Sequence, residues 1–437
     1  VSADSPEPFL DANSVDAVAN DAAPEHAPFA NEPSVFRWAI VVGAGVFATT
    51  MTQPNVLRLP FQNLLKTDLH VSREVMASFF ALATLAWNFK PVAGIFTDTV
   101  PLFGSRRKYY IVTSSLLAGA LFLAVGIVPR TYTAILVTIM AMSCMAVVAS
   151  TVVGGLAVEV GQRDKATGRI TSARYVVMNA CTLIGGPLGG FLAARAFGYT
   201  AITGALIAIS VVPFALWFIK EPPIPQKNKA DAWADTKSKF RDQFKTLLHS
   251  RPLWIACGLL ALIYISPGFS TPLYYYQVDT LKLSQQFIGT LALLAGAFGI
   301  VGALLYAVLC RKLSLRALLY ISIIISTIGT ACYVFYRSGT AAAVIESENG
   351  FLGTIAELAL MDLASRATPK GSEGLGFALM MSVRNGCQSL SDIFGSYIID
   401  HHILTFFNLV WLNAGTTAII IVLIPFLPKL LTDPHDS

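Results

Sequence analysis

The chain has 437 residues, of which 54% are hydrophobic and only 13% charged, and its mean hydropathy is +0.62. A soluble chain of this length carries about twice that share of charge, so the composition is that of a polytopic membrane protein and not of a soluble domain. The net charge of +5 argues for orientation rather than for nucleic acid, because the Lys and Arg excess falls in short loops between apolar runs.

Residues 1–34 carry Asp4, Glu7, Asp11, Asp16, Asp21, Glu25 and Glu32 and no Lys or Arg. They read as a disordered acidic tail, without the basic start and apolar core of a signal peptide. Apolar runs long enough to span a bilayer follow at 36–65, 73–97, 108–128, 131–159, 168–195, 199–219, 252–278, 284–309, 315–336, 340–365, 372–399 and 402–427. The expected fold is all-α, with twelve transmembrane helices in two six-helix halves, 35–220 and 251–428. A linker over 221–250 separates them and a short tail, 429–437, closes the chain. Within the linker, Ala232 to Leu248 spaces Trp233, Phe240, Phe244, Leu247 and Leu248 as an amphipathic surface helix would. Lys and Arg cluster in the linker and in the loops on its side of the bundle, which places both termini and the linker in the cytoplasm. The six cysteines are solitary and fall in or beside apolar runs, so they predict neither a disulfide framework nor a metal site.

The join between the second and third runs, KPVAGIFTDTVPLFGSRRKYY, closes an apolar stretch with Lys90 and Pro91. It then passes Gly94, Asp98, Pro101 and Gly104 and meets Arg106, Arg107 and Lys108. Its composition predicts a tight basic hairpin. Asp98 stands where it can pair with one of the arginines or cap a neighbouring helix, locking two helices together.

An ionisable side chain in hydrocarbon costs a few kcal/mol, so each one inside a run is a functional candidate. In the first run Asn55, Arg58 and Gln62 share one face, and Arg58 either snorkels or makes a structural pair, or lines a cavity for an anion. Glu159 precedes Arg163 and Arg169, which offer it a salt bridge, with a gating or proton-carrying role as the alternative; Arg174 and Asn179 follow. Gly185, Gly186, Gly189 and Gly190 form a face for close helix packing. The stretch SPGFSTPLYYYQ predicts a broken helix, with Tyr274, Tyr275 and Tyr276 as an interfacial belt or as a stacking surface for a flat ring. In the tenth run Glu346, Asn349, Gly353 and Glu357 recur at helical spacing, and Asp362 stands four residues before Arg366 as a structural pair. Glu357 has no local partner in the sequence, so it is the expected proton site, the burial of an unpaired carboxylate favouring its neutral form. The eleventh run sets Asn385, Ser389, Asp392 and Ser396 on one stripe beside Arg384 and Gln388, as a helix lining a wet pathway would.

The order Lys90-Pro91, Gly94, Asp98, Pro101, Gly104, Arg106-Arg107 and Tyr109 or Tyr110 resembles the signature after the second helix of the folate/biopterin transporter family, a branch of the major facilitator superfamily. RLPFQNLLKTDLHVS from Arg58 to Ser72 resembles the end of the family's first helix. Residues 266–289 are similar to its seventh helix and following loop. TPKGSEGLGFALMMSVRN resembles its loop between helices ten and eleven, with Glu373 and Asn385 at matching positions. The resemblance implies a secondary carrier of folates or pteridines that uses alternating access and needs no cofactor. It is expected to act as a monomer among membrane lipids, by default in a bacterial inner membrane. Arg58, Arg174 and Arg384 are then the candidates for the substrate's carboxylates, with Asn385 beside them. Tyr274 and Tyr275 are the candidates for its ring, and Glu357, Glu159 or Glu373 for a coupled proton. The chain departs from the family at Thr151 and Gly154, where the fourth helix usually carries aspartates. No phosphate loop or nucleophile motif is present, so neither ATP coupling nor catalysis is expected. The alternatives are a carrier of another organic anion, such as a muropeptide or an acyl derivative, and a non-transporting sensor on the same fold. A membrane enzyme would have to be built around Asp400, His401 and His402.

Overall fold

The computed structural model describes residues 35–53, 57–105, 107–163, 167–219, 238, 241–242, 244–369 and 372–426. Sixteen α-helices account for most of them. The first half contains α1 (Val35–Met51), α2 (Arg58–Asn63), α3 (Arg73–Ala83), α4 (Lys90–Thr99), α5 (Lys108–Ile127), α6 (Tyr132–Arg163), α7 (Thr167–Ala193), α8 (Phe197–Ile209) and α9 (Val211–Phe218). The second half contains α10 (Arg251–Tyr264), α11 (Ser270–Tyr275), α12 (Gln285–Lys312), α13 (Leu315–Cys332), α14 (Gly339–Ala367), α15 (Glu373–Asp400) and α16 (Phe406–Ile419). Among the described residues eight helical runs are long and apolar enough to cross a bilayer, and Arg37–Met51 and Arg251–Tyr264 are shorter apolar helices. Beyond these, α14 and α15 are long helices that carry Glu346, Glu348, Glu357, Arg384 and Asp392.

The breaks have local causes. Between α10 and α11 the chain leaves the helix at Pro267 and Gly268, and the freed backbone groups are taken up by neighbours, as burial in a membrane demands. Gly268 N–H donates to Ser391 O at 3.0 Å, and Asn413 Nδ2 donates to Pro267 O at 2.9 Å. Lys90-Pro91 lies inside the second span, within its expected bounds of 73–97. A 3₁₀ stretch over Leu85–Phe89 hands over to α4 with Pro91 in its first turn, where a missing N–H costs nothing, and the helix runs on to Thr99. The hairpin itself is confined to the next few residues. Leu102 and Ser105 exchange both backbone hydrogen bonds, at 2.9 and 3.0 Å, around Phe103 and Gly104, which both have positive φ. In the linker only part of the expected amphipathic helix lies in the described residues. There 244–249 are helical, and Leu247 is buried against Leu253 and Met380 while Phe244 and Leu248 are exposed.

The halves meet along two seams, α7 against α12 and α3 against α15. The first seam is as close as glycine permits: a Cβ on Gly289 would stand 2.4 Å from Gly186 O, and one on Gly190 2.7 Å from Gln285 O. Successive spans alternate direction, so the turns at 100–107 and 313–314 lie on the face that carries the linker. The turns at 69–72, 281–284 and 401–405 lie on the opposite face.

Candidate functional site

A cavity of about 410 Å³ lies at the α3–α15 seam, walled by Gln53, α2, α3, the 3₁₀ stretch, Ser270 and α15. That is within the range of small-molecule sites, roughly 300–1,000 Å³. Two guanidinium groups, of Arg58 and Arg384, open into it. Arg58 Nη2 donates to Thr271 Oγ1 at 3.2 Å and to Asp392 Oδ2 at 3.3 Å, and its guanidinium lies 4.7 Å from the centre of the Phe80 ring. Asp392 is held by the second half, accepting from Thr271 N–H at 2.8 Å and Thr271 Oγ1 at 2.7 Å. The Arg58–Asp392 pair therefore joins the two halves at the depth of the cavity.

Arg384 pairs with Glu357 at 2.7 Å, donates to Asn385 Oδ1 at 3.1 Å and lies 4.9 Å from the centre of the Tyr264 ring. Tyr264 donates its hydroxyl to the other oxygen of Glu357. This corrects the expectation that Glu357 is an unpaired carboxylate. Its partner is 27 residues away in sequence and on another helix, which no local spacing could reveal.

The cavity wall also holds donors and acceptors with nothing to bond among the described residues. Arg58 Nε, Arg384 Nε, Trp87 Nε1 and Asn88 Oδ1 are all buried and unpartnered. A buried polar group left unpaired costs about 1–3 kcal/mol, so these atoms mark where a polar ligand gains most. Trp87 and Phe80 supply the flat apolar surfaces. Neither was singled out in the sequence, because an aromatic near a helix end reads as an interfacial residue; the signal available was the Trp-Asn pair just ahead of Lys90-Pro91.

The remaining candidates lie elsewhere. Tyr274 and Tyr275 do not face the cavity. Both are buried in the core cluster with Phe61, Leu65 and Phe79, and the sequence expectation of a stacking surface is corrected accordingly. Tyr274 accepts from Gln285 Nε2 at 3.2 Å, while Tyr275 donates to Val71 O across the halves. The faces of the Tyr275 ring are taken by Lys66 and Arg73, at 4.7 and 4.9 Å. Arg174 is half-buried on α7, within electrostatic reach of Lys90, and is not part of the cavity wall. Lys90 donates to Ser150 Oγ at 2.9 Å. Gly94 packs against Thr151, whose hydroxyl bonds back to Val147 O at 2.7 Å. Glu159 pairs with Arg107 at 3.4 Å, and a Cβ on Gly155 would stand 2.7 Å from the same guanidinium; the side chains of Arg163 and Arg169, the partners expected from the sequence, lie outside the described residues. The pairing of Asp98, the position of Arg106 and the side chain of Glu373 lie outside the described residues.

On the face opposite the linker the halves are tied together. Lys66 meets Asp279 at 2.6 Å, and Arg73 meets Asp400 at 2.9 Å, with Glu74 N–H on the other oxygen of Asp400 at 2.8 Å. Asn63 accepts from Gln285 at 3.2 Å beside them. Asp400, proposed from sequence as part of an alternative enzyme centre with His401 and His402, is thus half of a cross-half ion pair.

The profile of the Major Facilitator Superfamily matches residues 38–396. The chain is 27% identical over 366 residues to the folate-biopterin transporter of Synechocystis, covering 78% of this chain and 71% of that protein. It is 22% identical over 352 residues to folate transporter 1 of Plasmodium falciparum, covering 77% and 68%. Among solved structures, a nucleoside transporter superposes with a TM-score of 0.72 at 10% identity over 89% of this chain and 99% of the other. A D-xylose-proton symporter does so at 0.67 and 12% over 91% and 99%.

Proposed function

Because the chain belongs to the Major Facilitator Superfamily, we propose that it is a secondary carrier of folates or pteridines, working by alternating access and coupled to protons. One observation carries this reading: Arg58, Arg384 and the Trp87 indole converge on a single cavity at the seam between the halves, with unpartnered polar atoms around it. A folate joins a flat hydrogen-bonding ring to carboxylates. The ring suits the Trp87 and Phe80 surfaces and the carboxylates suit the planar N–H forks of the two arginines. The ties on the far face describe a carrier closed there, and the rocking of two halves about a central site is how such folds move solute. The positive-inside pattern makes the linker face cytoplasmic, so the closed face is external.

A different organic anion is the second reading. It is favoured by Thr151, which stands where the resembling family usually carries an aspartate and is bonded to its own helix, so the fourth helix has no carboxylate at that position.

The test is uptake of labelled folic acid into proteoliposomes at external pH 5.5 and 7.5. Saturable uptake in the wild type, greater at the lower pH and reduced at least tenfold in Arg58→Ala and in Arg384→Ala, is the expected result. No saturable uptake of folic acid or biopterin overturns the substrate, and an unchanged rate in both variants overturns the site.

A further inference from the structure

With Glu357 paired to Arg384, the carboxylate that stands out is Glu346, on α14 near the external face and away from the cavity. Among the described residues no Lys or Arg pairs with it. Its hydrogen-bond partner is Tyr336, whose hydroxyl donates to Glu346 Oε1 at 3.2 Å and accepts from Gln277 Nε2 at 2.6 Å. Tyr333 stacks on Tyr336 at 5.5 Å and 7° and turns toward the same carboxylate. Arg337, next in sequence, is spent on the Phe407 ring at 5.3 Å. The apolar cluster that holds Tyr333 and Tyr336 takes Leu291 from α12 and Val410 from α16, and on α14 Glu348 lies against Gly329. Among the described residues no Lys or Arg on these elements pairs with Glu346.

The chain of hydrogen bonds ends on the external gate. Gln277 belongs to the π-type turn Tyr276–Thr280, and Asp279 on that turn makes the ion pair with Lys66 of the other half. We propose that Glu346 is a proton-binding site that governs this gate through Tyr336 and Gln277. It deepens the proton coupling proposed above and rests on it.

The physical step is a reversal of hydrogen-bond polarity. A charged Glu346 only accepts, so Tyr336 donates to it and takes the Gln277 N–H in turn. A proton arriving from the external solution makes Glu346 a donor. When the proton sits on Oε1, the oxygen that faces Tyr336, the Tyr336 hydroxyl accepts from it and turns its own hydrogen toward Gln277, whose Nε2 cannot accept. Gln277 must rotate its amide or release the tyrosine, and either movement disturbs the turn that holds Asp279 against Lys66. Protonation also removes a half-buried charge that has no counter-ion among the described residues, which is the driving term. The proton leaves when the site is carried to the other access state.

The test needs no substrate. Spin labels on Thr67→Cys and Lys282→Cys, in a chain whose native cysteines are replaced, report the distance across the gate in nanodiscs at pH 5.5 and 8.0. The wild type is expected to show at least three times more of the long-distance population at pH 5.5. Glu346→Gln, which mimics the protonated form, is expected to show that larger population at both values, and Tyr336→Phe to lose the pH response. Glu348→Gln is expected to respond as the wild type does. A wild type without pH response, or a response kept in Glu346→Gln, overturns the proposal, as does its loss in Glu348→Gln. If Glu346→Gln does not fold, Tyr336→Phe decides alone, and a retained response there overturns it. Absence of folic acid uptake would sink the substrate without touching the gate measurement.

Discussion

At Arg58 two readings of one charged residue in an apolar run are separated by its neighbours. A snorkelling arginine would reach for a bilayer surface, whereas this one is held inward by Asp392, Thr271 and the Phe80 ring. The pair is unequal. Asp392 keeps two bonds to Thr271 when Arg58 is removed, but without Asp392 the Thr271 N–H loses its acceptor and Arg58 loses its counter-charge, keeping only Thr271 Oγ1. Asp392→Ala is therefore expected to destabilise by about 3 kcal/mol, the cost of breaking a buried ion pair from one side. Arg58→Ala should destabilise by distinctly less. Thermal unfolding in detergent should show the larger fall in Tm for Asp392→Ala; the reverse order would mean that Thr271 does not hold the carboxylate.

Charge in an apolar run made Arg58, Arg384, Asn385 and Asp392 legible from the sequence. Trp87 and Asn88 were not, because nothing about an aromatic and an amide at a helix junction is anomalous until the opposite wall is known.

At the level of helices, glycines decide how close the bundle packs, and two of them do different work. Gly350 lies within the second half, where a Cβ would stand 2.2 Å from Ala295 O of α12. Gly289 lies between the halves, where a Cβ would meet Gly186 O at 2.4 Å. A methyl group forced into packed backbone costs roughly 1–3 kcal/mol. Gly350→Ala should spend that on the fold and lower Tm. Gly289→Ala can escape by parting α7 from α12, so it should leave Tm nearly unchanged and bias the labelled gate toward its long distance. Equal effects of the two substitutions on Tm would refute this division.

The Gly185 to Gly190 face was legible as a packing surface from its spacing. That its partner is α12 of the other half, through Gly289, was not, since the spacing of small residues says that a helix comes close and not which one. The second span continues past Lys90-Pro91, within its expected bounds of 73–97, because proline in a first turn is compatible with a helix.

For the whole molecule, the ties on the face opposite the linker are few, and in each one partner, Asp279 or Arg73, is the more exposed. Lys66–Asp279 and Arg73–Asp400 are charge pairs that cross between the halves, and each is worth a fraction of a kcal/mol to about 1 kcal/mol where water reaches it. Removing both with Lys66→Ala and Arg73→Ala should open the external face several-fold more often. A membrane-impermeant thiol reagent added outside should then modify Gln388→Cys in the cavity faster than in the intact gate. An unchanged rate would place the barrier in the α7–α12 contact instead.

The sequence by itself determined that this is a helical membrane protein in two halves, which helices are polar, and where its loops carry positive charge. Those properties follow from residue type and local period, because a bilayer punishes each exposed charge and each unbonded backbone group on the spot. Only the tertiary structure decided which charges are paired. Glu357 met Arg384, Glu159 met Arg107, and the tyrosines at 274 and 275 were buried in the core, each through a partner on another helix. Ion pairing acts across a few ångströms of space and is indifferent to distance along the chain. The polar residues that line one cavity therefore became distinct from those that merely hold the bundle together only once the helices were set side by side.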